Sequence, residues 1–402
     1  MRDGWKIVKL DEIISFERGL TYAKGDEVAH SSVGVLRSNN VDLTTQSLNL
    51  DEIKYLREDF EVPEKKKVRK SSLLMCMSNG SKDHLGKVAL IDEDLDYAFG
   101  GFMGLLTPDE TKVVPKYLYY ALASKSFKDY IHSLADGANI NNLKYKDLAA
   151  YDILLLPLPE QQRIVDFLDR EFAKIDALKA NAEKSLQAAK DLFQATLKKE
   201  LEPKEGWSVA EIGSVCLKTD NIKWRDIPED KEYTYIDLTS VDRSTKSVVE
   251  PQRIKKSNAP SRAQRLVCED DIVFATTRPT LRRYCIITEQ YDGQICSTGF
   301  CVLRPDKRKV RPSWLFHCLS TDAFYDYVEP LQTGATYPAI TDKDVKGYTI
   351  SLPTITEQDD IVSRLDVLND KCNALQENYQ KTLTLCDDLK QSLLRKAFNG
   401  EL

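Results

Sequence analysis

The chain has 402 residues, of which 42% are hydrophobic and 30% charged, with a formal net charge of −6. That is room for two or more globular domains, and the acidic balance argues against nucleic-acid binding by bulk electrostatics. No apolar run is long enough to span a bilayer, the nine scattered cysteines contain no Cys-x-x-Cys, and the N-terminus lacks the apolar core of a signal peptide, so a reduced, cytoplasmic protein is expected.

In chain order, Gly4-Trp5 introduces a short amphipathic segment over 6–14, and strand-like residues follow at Val35-Leu36 and Val41-Asp42. A basic run (Lys65, Lys66, Lys67, Arg69, Lys70) precedes Ser72-Leu73-Leu74-Met75-Cys76, which has the unbroken apolar pattern of a buried strand. A polar loop at 77–82, an apolar run at 88–91, Gly101-Phe102 and a short helix over 115–124 come next. Pro157 and Pro159 then open one long helix over 160–201, closed by Pro203 and Gly206. Its stripe of Val165, Leu168, Phe172, Ile175, Leu178, Ala182, Leu186, Ala189, Phe193 and Leu197 recurs every three or four residues, the mark of a helix burying one face. Such a helix would be roughly 60 Å long, suited to a spacer or coiled-coil arm.

The second half repeats the first. Gly4-Trp5 returns as Gly206-Trp207, Val35-Leu36 as Tyr235-Ile236, the buried strand as Asp271-Ile272-Val273-Phe274-Ala275, and Gly101-Phe102 is matched to Gly299-Phe300. From Pro108 onward the register is ungapped: Pro108 to Pro305 and Glu160 to Glu357 are both 197 residues apart. The second long helix, 357–398, is striped by Val362, Leu365, Leu368, Cys372, Leu375, Tyr379, Leu383, Cys386, Leu389 and Leu393. The expected fold is therefore α+β: two similar domains on mostly antiparallel sheets, each followed by a long helix. The two helices are expected to pack as an antiparallel coiled coil with pseudo-twofold symmetry, the seam formed by Val165, Leu168, Phe172, Ile175, Leu186 and Phe193 against Val362, Leu365, Leu375, Leu383 and Leu389, the alternative being that each helix folds back on its own domain. The segments are 1–155, 156–202, 203–351 and 352–402. Phe167, Leu192 and Leu201 lie off the stripe and are expected to dock a partner helix.

Catalytic motifs fail on spacing. The run from Gly80 to Val88 has five residues between its glycines where a phosphate loop has four, and Val88 replaces the magnesium-binding hydroxyl. Asp94, Glu110 and Lys112 have the residue types of a metal-dependent nuclease, yet the second half offers Lys307-Arg308-Lys309 where that site should be duplicated. No metal site in this chain is expected. A nuclease, or a coiled-coil interaction protein with no DNA role, remains the alternative reading.

The polar loops survive. Arg hydrogen-bonds guanine bidentately, Asn and Gln do the same for adenine, and Ser and Thr serve either. Those types crowd Arg37-Ser38-Asn39-Asn40, Ser78, Asn79, Ser81 and Lys82, and Asn139 with Asn141 in the first half. In the second they crowd Thr276, Thr277, Arg278, Thr280, Arg282 and Arg283, with Thr336 and Tyr337 further on. The loops after the buried strand fall where two otherwise matching copies differ, as a two-part reader would require.

The Pro-rich Glu-Gln helix openings (Leu156-Pro157-Leu158-Pro159-Glu160-Gln161 and Leu352-Pro353 through Glu357-Gln358), the C-terminal Lys390-Gln391-Ser392-Leu393-Leu394-Arg395-Lys396-Ala397-Phe398-Asn399-Gly400-Glu401-Leu402, Gly4-Trp5 and Ser78-Asn79-Gly80-Ser81 together resemble the specificity subunit of type I restriction-modification systems. The resemblance covers essentially the whole chain. It implies two target-recognition domains, each reading half of a bipartite double-stranded DNA site, and a subunit that is itself noncatalytic and holds no cofactor. It further implies two modification subunits bringing S-adenosylmethionine, and restriction subunits bringing ATP and magnesium chemistry, with the paired helices acting as a ruler between half-sites. Many members carry Gly-Asp before the buried strand, where this chain has Ser71-Ser72 and Asp270-Asp271.

Overall fold

The computed structural model describes residues 5–135 and 142–402. They form two compact units, 1–183 with 381–402 and 184–380, so the division cuts across both long helices rather than between helix and domain.

The first unit begins with β1 (Lys6–Lys9), β2 (Ile14–Arg18), β3 (Glu27–Val28), β4 (Val33–Leu36) and β5 (Lys54–Leu56). It continues with β6 (Leu73–Cys76), β7 (Val88–Leu90), β8 (Tyr97–Phe99) and β9 (Met103–Pro108), then α1 (Pro115–Ala123), α2 (Lys125–Ala135), α3 (Tyr145–Ala149), β10 (Asp152–Leu155) and the part of α4 (Leu158–Leu201) up to 183. Two four-stranded sheets, β2-β9-β6-β7 and β3-β5-β4-β8, are accompanied by the pair β1-β10. All pairings are antiparallel except β4 with β8.

The buried strand earns its unbroken apolar sequence by facing two cores. Leu73 and Met75 point into the core under α1, α2 and α4, while Leu74 and Cys76 point into the one between the sheets, as the two-residue alternation of a strand dictates.

The second unit repeats this frame with β11 (Ser208–Glu211), β12 (Cys216–Leu217), β13 (Glu232–Ile236), β14 (Gln252–Lys255), β15 (Ala263–Leu266), β16 (Ile272–Ala275), β17 (Tyr284–Ile286), β18 (Ile295–Ser297) and β19 (Phe300–Pro305). Helices α5 (Pro312–Cys318), α6 (Asp322–Val328) and α7 (Asp342–Lys346) and β20 (Thr349–Leu352) follow, then α8 (Ile355–Phe398), which belongs to this unit as far as 380 and to the first beyond it. Sheet β12-β19-β16-β17 matches its counterpart strand for strand. The other sheet, β14-β13-β18-β15, keeps the parallel pair β13-β18 but places its fourth strand on the opposite edge from β3.

The register corrects one sequence match. Since β9 and β19 are offset by 197, Met103 stands with Phe300 and Phe102 stands with Gly299, not with Phe300. Phe300 is fully buried while Phe102 is 70% exposed. The two glycine-phenylalanine pairs are one residue out of phase with the repeat.

The Glu-Gln helix openings have a structural cause. Gln161 is fully buried; its Oε1 accepts the Val114 backbone N–H at 2.8 Å, and its Nε2 donates to the carbonyls of Lys112 (2.9 Å) and Leu156 (2.7 Å). Gln358 does the same with Arg311 N–H (2.8 Å) and the carbonyls of Lys309 (3.1 Å) and Pro353 (3.0 Å). A carboxylate could not donate and an aliphatic side chain could do neither, so the amide is required to tie each helix start to its domain.

The helices pack antiparallel in both units. In the first, Lys179 meets Asp387 at 2.8 Å and Lys390 meets Asp176, partners whose numbers run in opposite directions, and Leu394 and Ala397 enter the core with Ile164, Val165 and Leu168. In the second, Arg364 meets Glu200 at 3.0 Å and Leu197 lies in a core with Val362 and Leu365. The buried line on α4 is Leu168, Ile175, Ala182 and Ala189; on α8 it is Leu365, Cys372 and Cys386 with half-buried Tyr379, all on a seven-residue spacing that keeps a two-helix seam in register.

The seam is narrower than the stripe suggested. Leu375 and Leu389, expected in the packing, are 43% and 49% exposed, as are their repeat partners Leu178 and Leu192 to similar degree, because a helix with a single long neighbour buries about two of every seven positions. Conversely, Phe167 and Leu201, expected to be available to a partner, pack partly against their own units' cores, leaving Leu192 as the exposed one of the three.

Candidate functional site

In each domain the loop after the buried strand is pinned to the segment before the third short helix. In the first, Ser78 forms a bridge with Asn142, and the Leu143 N–H donates to the Met77 carbonyl at 2.7 Å. In the second, Thr277 bridges Ala339, and the Ile340 N–H donates to the Thr276 carbonyl at 2.9 Å. Two remote stretches of chain are thereby brought to one place twice.

Around the first loop the predicted residues divide by role. Asn79 Nδ2 donates to Ser38 Oγ at 2.8 Å and Asn79 Oδ1 accepts the Ser81 N–H at 3.0 Å, so the loops at 37–40 and 78–82 are tied together. Asn40 is buried and internal: its Oδ1 accepts the Arg37 N–H, and its Nδ2 donates to the carbonyls of Asn49 and Glu52, each at 2.9 Å. Asn39, Ser81 and Lys82 are exposed, whereas Arg37 and Ser78 are half-buried. Asn139 and Asn141 lie outside the described residues.

Phe102 is a residue that sequence reasoning missed. Its carbonyl accepts the N–H groups of Met77 (2.8 Å) and Ser78 (3.1 Å), fixing an exposed aromatic beside the polar loop. The available signal was Gly100-Gly101 before it, where a Cβ at Gly101 would lie 3.2 Å from the Leu20 carbonyl oxygen.

Around the second loop, Thr276 is buried, its Oγ1 donating to the Gly299 carbonyl at 2.9 Å, and is a packing residue. Arg282 pairs with Asp322 at 2.5 Å and lies 4.1 Å from the Tyr325 ring centre. Arg283 donates to the carbonyls of Leu238 (3.1 Å) and Val241 (2.9 Å). Its counterpart in the first domain is buried Lys87, whose Nζ donates to the Val41 carbonyl at 2.7 Å, the equivalent atom. Arg283 is thus the second copy of a strap that holds the 241–248 turn, a role no charge count reveals. Thr280 and Thr336 are exposed, and Arg278 lies against Tyr337.

Several cations of the basic stretches at 65–70 and 307–311 have carboxylate partners. Lys66 pairs with Glu17, Lys67 with Asp96 at 2.6 Å, Lys307 with Asp270 at 2.6 Å and Arg311 with Asp359 at 2.8 Å. As for the nuclease candidates, Asp94 accepts the Lys70 N–H at 3.0 Å, Lys112 pairs with Asp109 at 2.9 Å and Glu110 is on an exposed turn. Among the described residues no group of three or more His, Cys, Asp or Glu is placed to hold a metal ion. Among them, too, no helix is long and apolar enough to cross a membrane.

Comparison with known proteins agrees with this duplicated frame. A family profile described as Type I restriction modification DNA specificity domain matches twice, over residues 2–188 and 204–385. The type I restriction enzyme StySPI specificity subunit of Salmonella potsdam is 26% identical, and the EcoKI specificity subunit of Escherichia coli K12 is 25% identical; each match covers all of this chain and 89% of the relative. A chain from a structural study of complex assembly and conformational transition of the type I restriction-modification system superposes with a TM-score of 0.77 at 19% identity, covering 100% of this chain and 99% of that one. The HsdS subunit of Thermoanaerobacter tengcongensis gives 0.54, also at 19% identity, over 100% and 98%. The chain belongs to the type I restriction-modification DNA specificity family.

Proposed function

We propose that this chain is the noncatalytic, sequence-specific DNA-binding subunit of a type I system. Each domain reads one half of a bipartite double-stranded site, and the paired helices carry two modification subunits that bring S-adenosylmethionine and adenine methylation. Restriction subunits bring ATP-dependent translocation and magnesium-dependent cleavage, and the complex works in the cytoplasm. The observation that carries the reading is one two-sheet frame built twice, with a different polar loop mounted after β6 and after β16 on the same hydrogen-bonded support. Extended flat contact would demand similar loops; two different loops on one frame suit two different sequences.

Acidic net charge fits a reader that shares phosphate contacts with its partners. Exposed Leu178, Leu192, Leu375 and Leu389, repeated by the 197-residue offset, support docking of like partners along the helices.

The test is to exchange residues 1–150 for those of another family member and sequence the methylated sites in cells carrying the system. One half of the methylated motif changes and the other stays. A change in both halves, or in neither, removes the modular reading.

A further inference from the structure

Of the three arginines after β16, one is held by an ion pair, one by two backbone carbonyls, and the third by an exposed ring and one long hydrogen bond. Arg282 has Asp322 and Tyr325, and Arg283 has two backbone carbonyls. Arg278 is exposed; its guanidinium lies over the Tyr337 ring, 4.8 Å from ring centre to Cζ, and donates a hydrogen bond to the Thr336 carbonyl at 3.3 Å.

The mount of this pair is tied by backbone hydrogen bonds. The Arg278 N–H donates to the Pro338 carbonyl at 2.7 Å, next to the bridge between Thr277 and Ala339. The loop carrying Tyr337 is closed by Thr333 and Ala339, which exchange backbone hydrogen bonds at 2.9 Å in both directions. Tyr337 is nevertheless 67% exposed, so the ring is held out from the domain by its backbone rather than buried by its side chain.

The backbone of Arg278 is left-handed, with φ 49° and ψ 56°, and so is that of Arg282 at φ 56°. A side chain with a Cβ is disfavoured there relative to glycine. Strained backbone of this kind persists where neighbours over-determine it and clusters at functional positions. At Arg278 the fold retains an arginine whose fork makes no ion pair among the described residues.

We infer that Arg278 reads a guanine in the half-site served by the second domain, with Tyr337 as the platform that aims its guanidinium. The inference rests on the DNA-reading function proposed above. A guanidinium lying on an aromatic face keeps its N–H donors at its edge. Guanine presents two acceptors, O6 and N7, side by side in the major groove, matching that planar fork, whereas adenine presents a donor beside its acceptor. The first domain has Ser78-Asn79-Gly80 at the equivalent loop, so this guanine belongs to one half-site only.

The experiment uses the chain co-expressed with its modification subunits. Methylated sites are sequenced for wild type, R278A, R278K, Y337A and Y337F, and binding is then measured on duplexes with 7-deazaguanine, which lacks N7, at each guanine of the second half-site. R278A and R278K should both relax one G·C position of that half-site, discrimination there falling roughly ten- to hundredfold, with the other half-site unchanged. Y337A should weaken the same position less, and Y337F should resemble wild type. One 7-deazaguanine position should weaken binding of wild type and leave R278A unaffected.

A uniform loss of methylation by R278A with an unaltered motif would make Arg278 a phosphate contact and overturn the inference, as would no change at all. If wild type methylates no bipartite site, the proposed function fails, and the inference with it; a bipartite wild-type motif indifferent to R278A removes the inference alone.

Discussion

The two domains enter the same buried strand by different chemistry. In the second, Asp271 is 1% exposed and forms a two-pronged pair with Arg304 on β19, its oxygens 2.9 Å and 2.7 Å from Nε and Nη2, while also accepting the Cys268 N–H at 2.8 Å. In the first, the same cross-strand positions hold Ser72 and Thr107, and Ser72 Oγ donates to the Arg69 carbonyl instead. A short hydroxyl closing its own turn therefore replaces a buried ion pair without disturbing the sheet. The frame requires that this turn be closed, and the identity of the closing group is free.

That contrast can be broken directly. Asp271→Ala leaves Arg304 largely buried without its carboxylate and should cost about 3–5 kcal/mol, read as a lowered thermal transition. The pair Asp271→Ser with Arg304→Thr transplants the first domain's solution and should recover most of that loss. If the double variant is as unstable as the single, the two closures are not interchangeable.

A smaller effect tests what the domains share. Gln161→Leu and Gln358→Leu each strand one N–H and two carbonyls, and each should destabilise by roughly 2–4 kcal/mol. The two losses should be of similar size, because the geometry is repeated bond for bond. A loss confined to one domain would show that only one tie matters.

The smallest effect concerns the turn just before the strand. Ser71 and Asp270 occupy repeat-equivalent positions and both have φ 68°, in the left-handed region. The glycine that the family resemblance leads one to expect at this point thus has a conformational reason, which these two residues inherit. Ser71→Gly should raise stability by about 0.5–1 kcal/mol. Asp270→Gly should gain less, since it also removes the exposed pair with Lys307. Equal gains would mean that the Lys307 pair contributes nothing.

Much of the architecture was legible in the residues: the repeat with its 197-residue register, the long helices and the double-faced strand all follow from periodicity. What was not legible has physical reasons. Periodicity locates an apolar stripe but not its depth, so Leu375 and Leu389 were placed in a seam too narrow to hold them. A one-residue slip between Phe102 and Phe300 is invisible without strand pairing. Residue type cannot separate Arg278 from Arg283, because the difference lies in which carbonyls come within reach after folding.

The helices that cross from one unit to the other also impose an order in time. The second unit is a continuous stretch of chain, 184–380, whereas the first needs Leu394 and Ala397, which follow its own globular part by about two hundred residues of sequence. On a chain made from its N-terminus, the second unit has all its residues while the core of the first is still open. The first domain, synthesised earlier, reaches its final core later, and it waits with apolar surface uncovered until the last turns of α8 arrive.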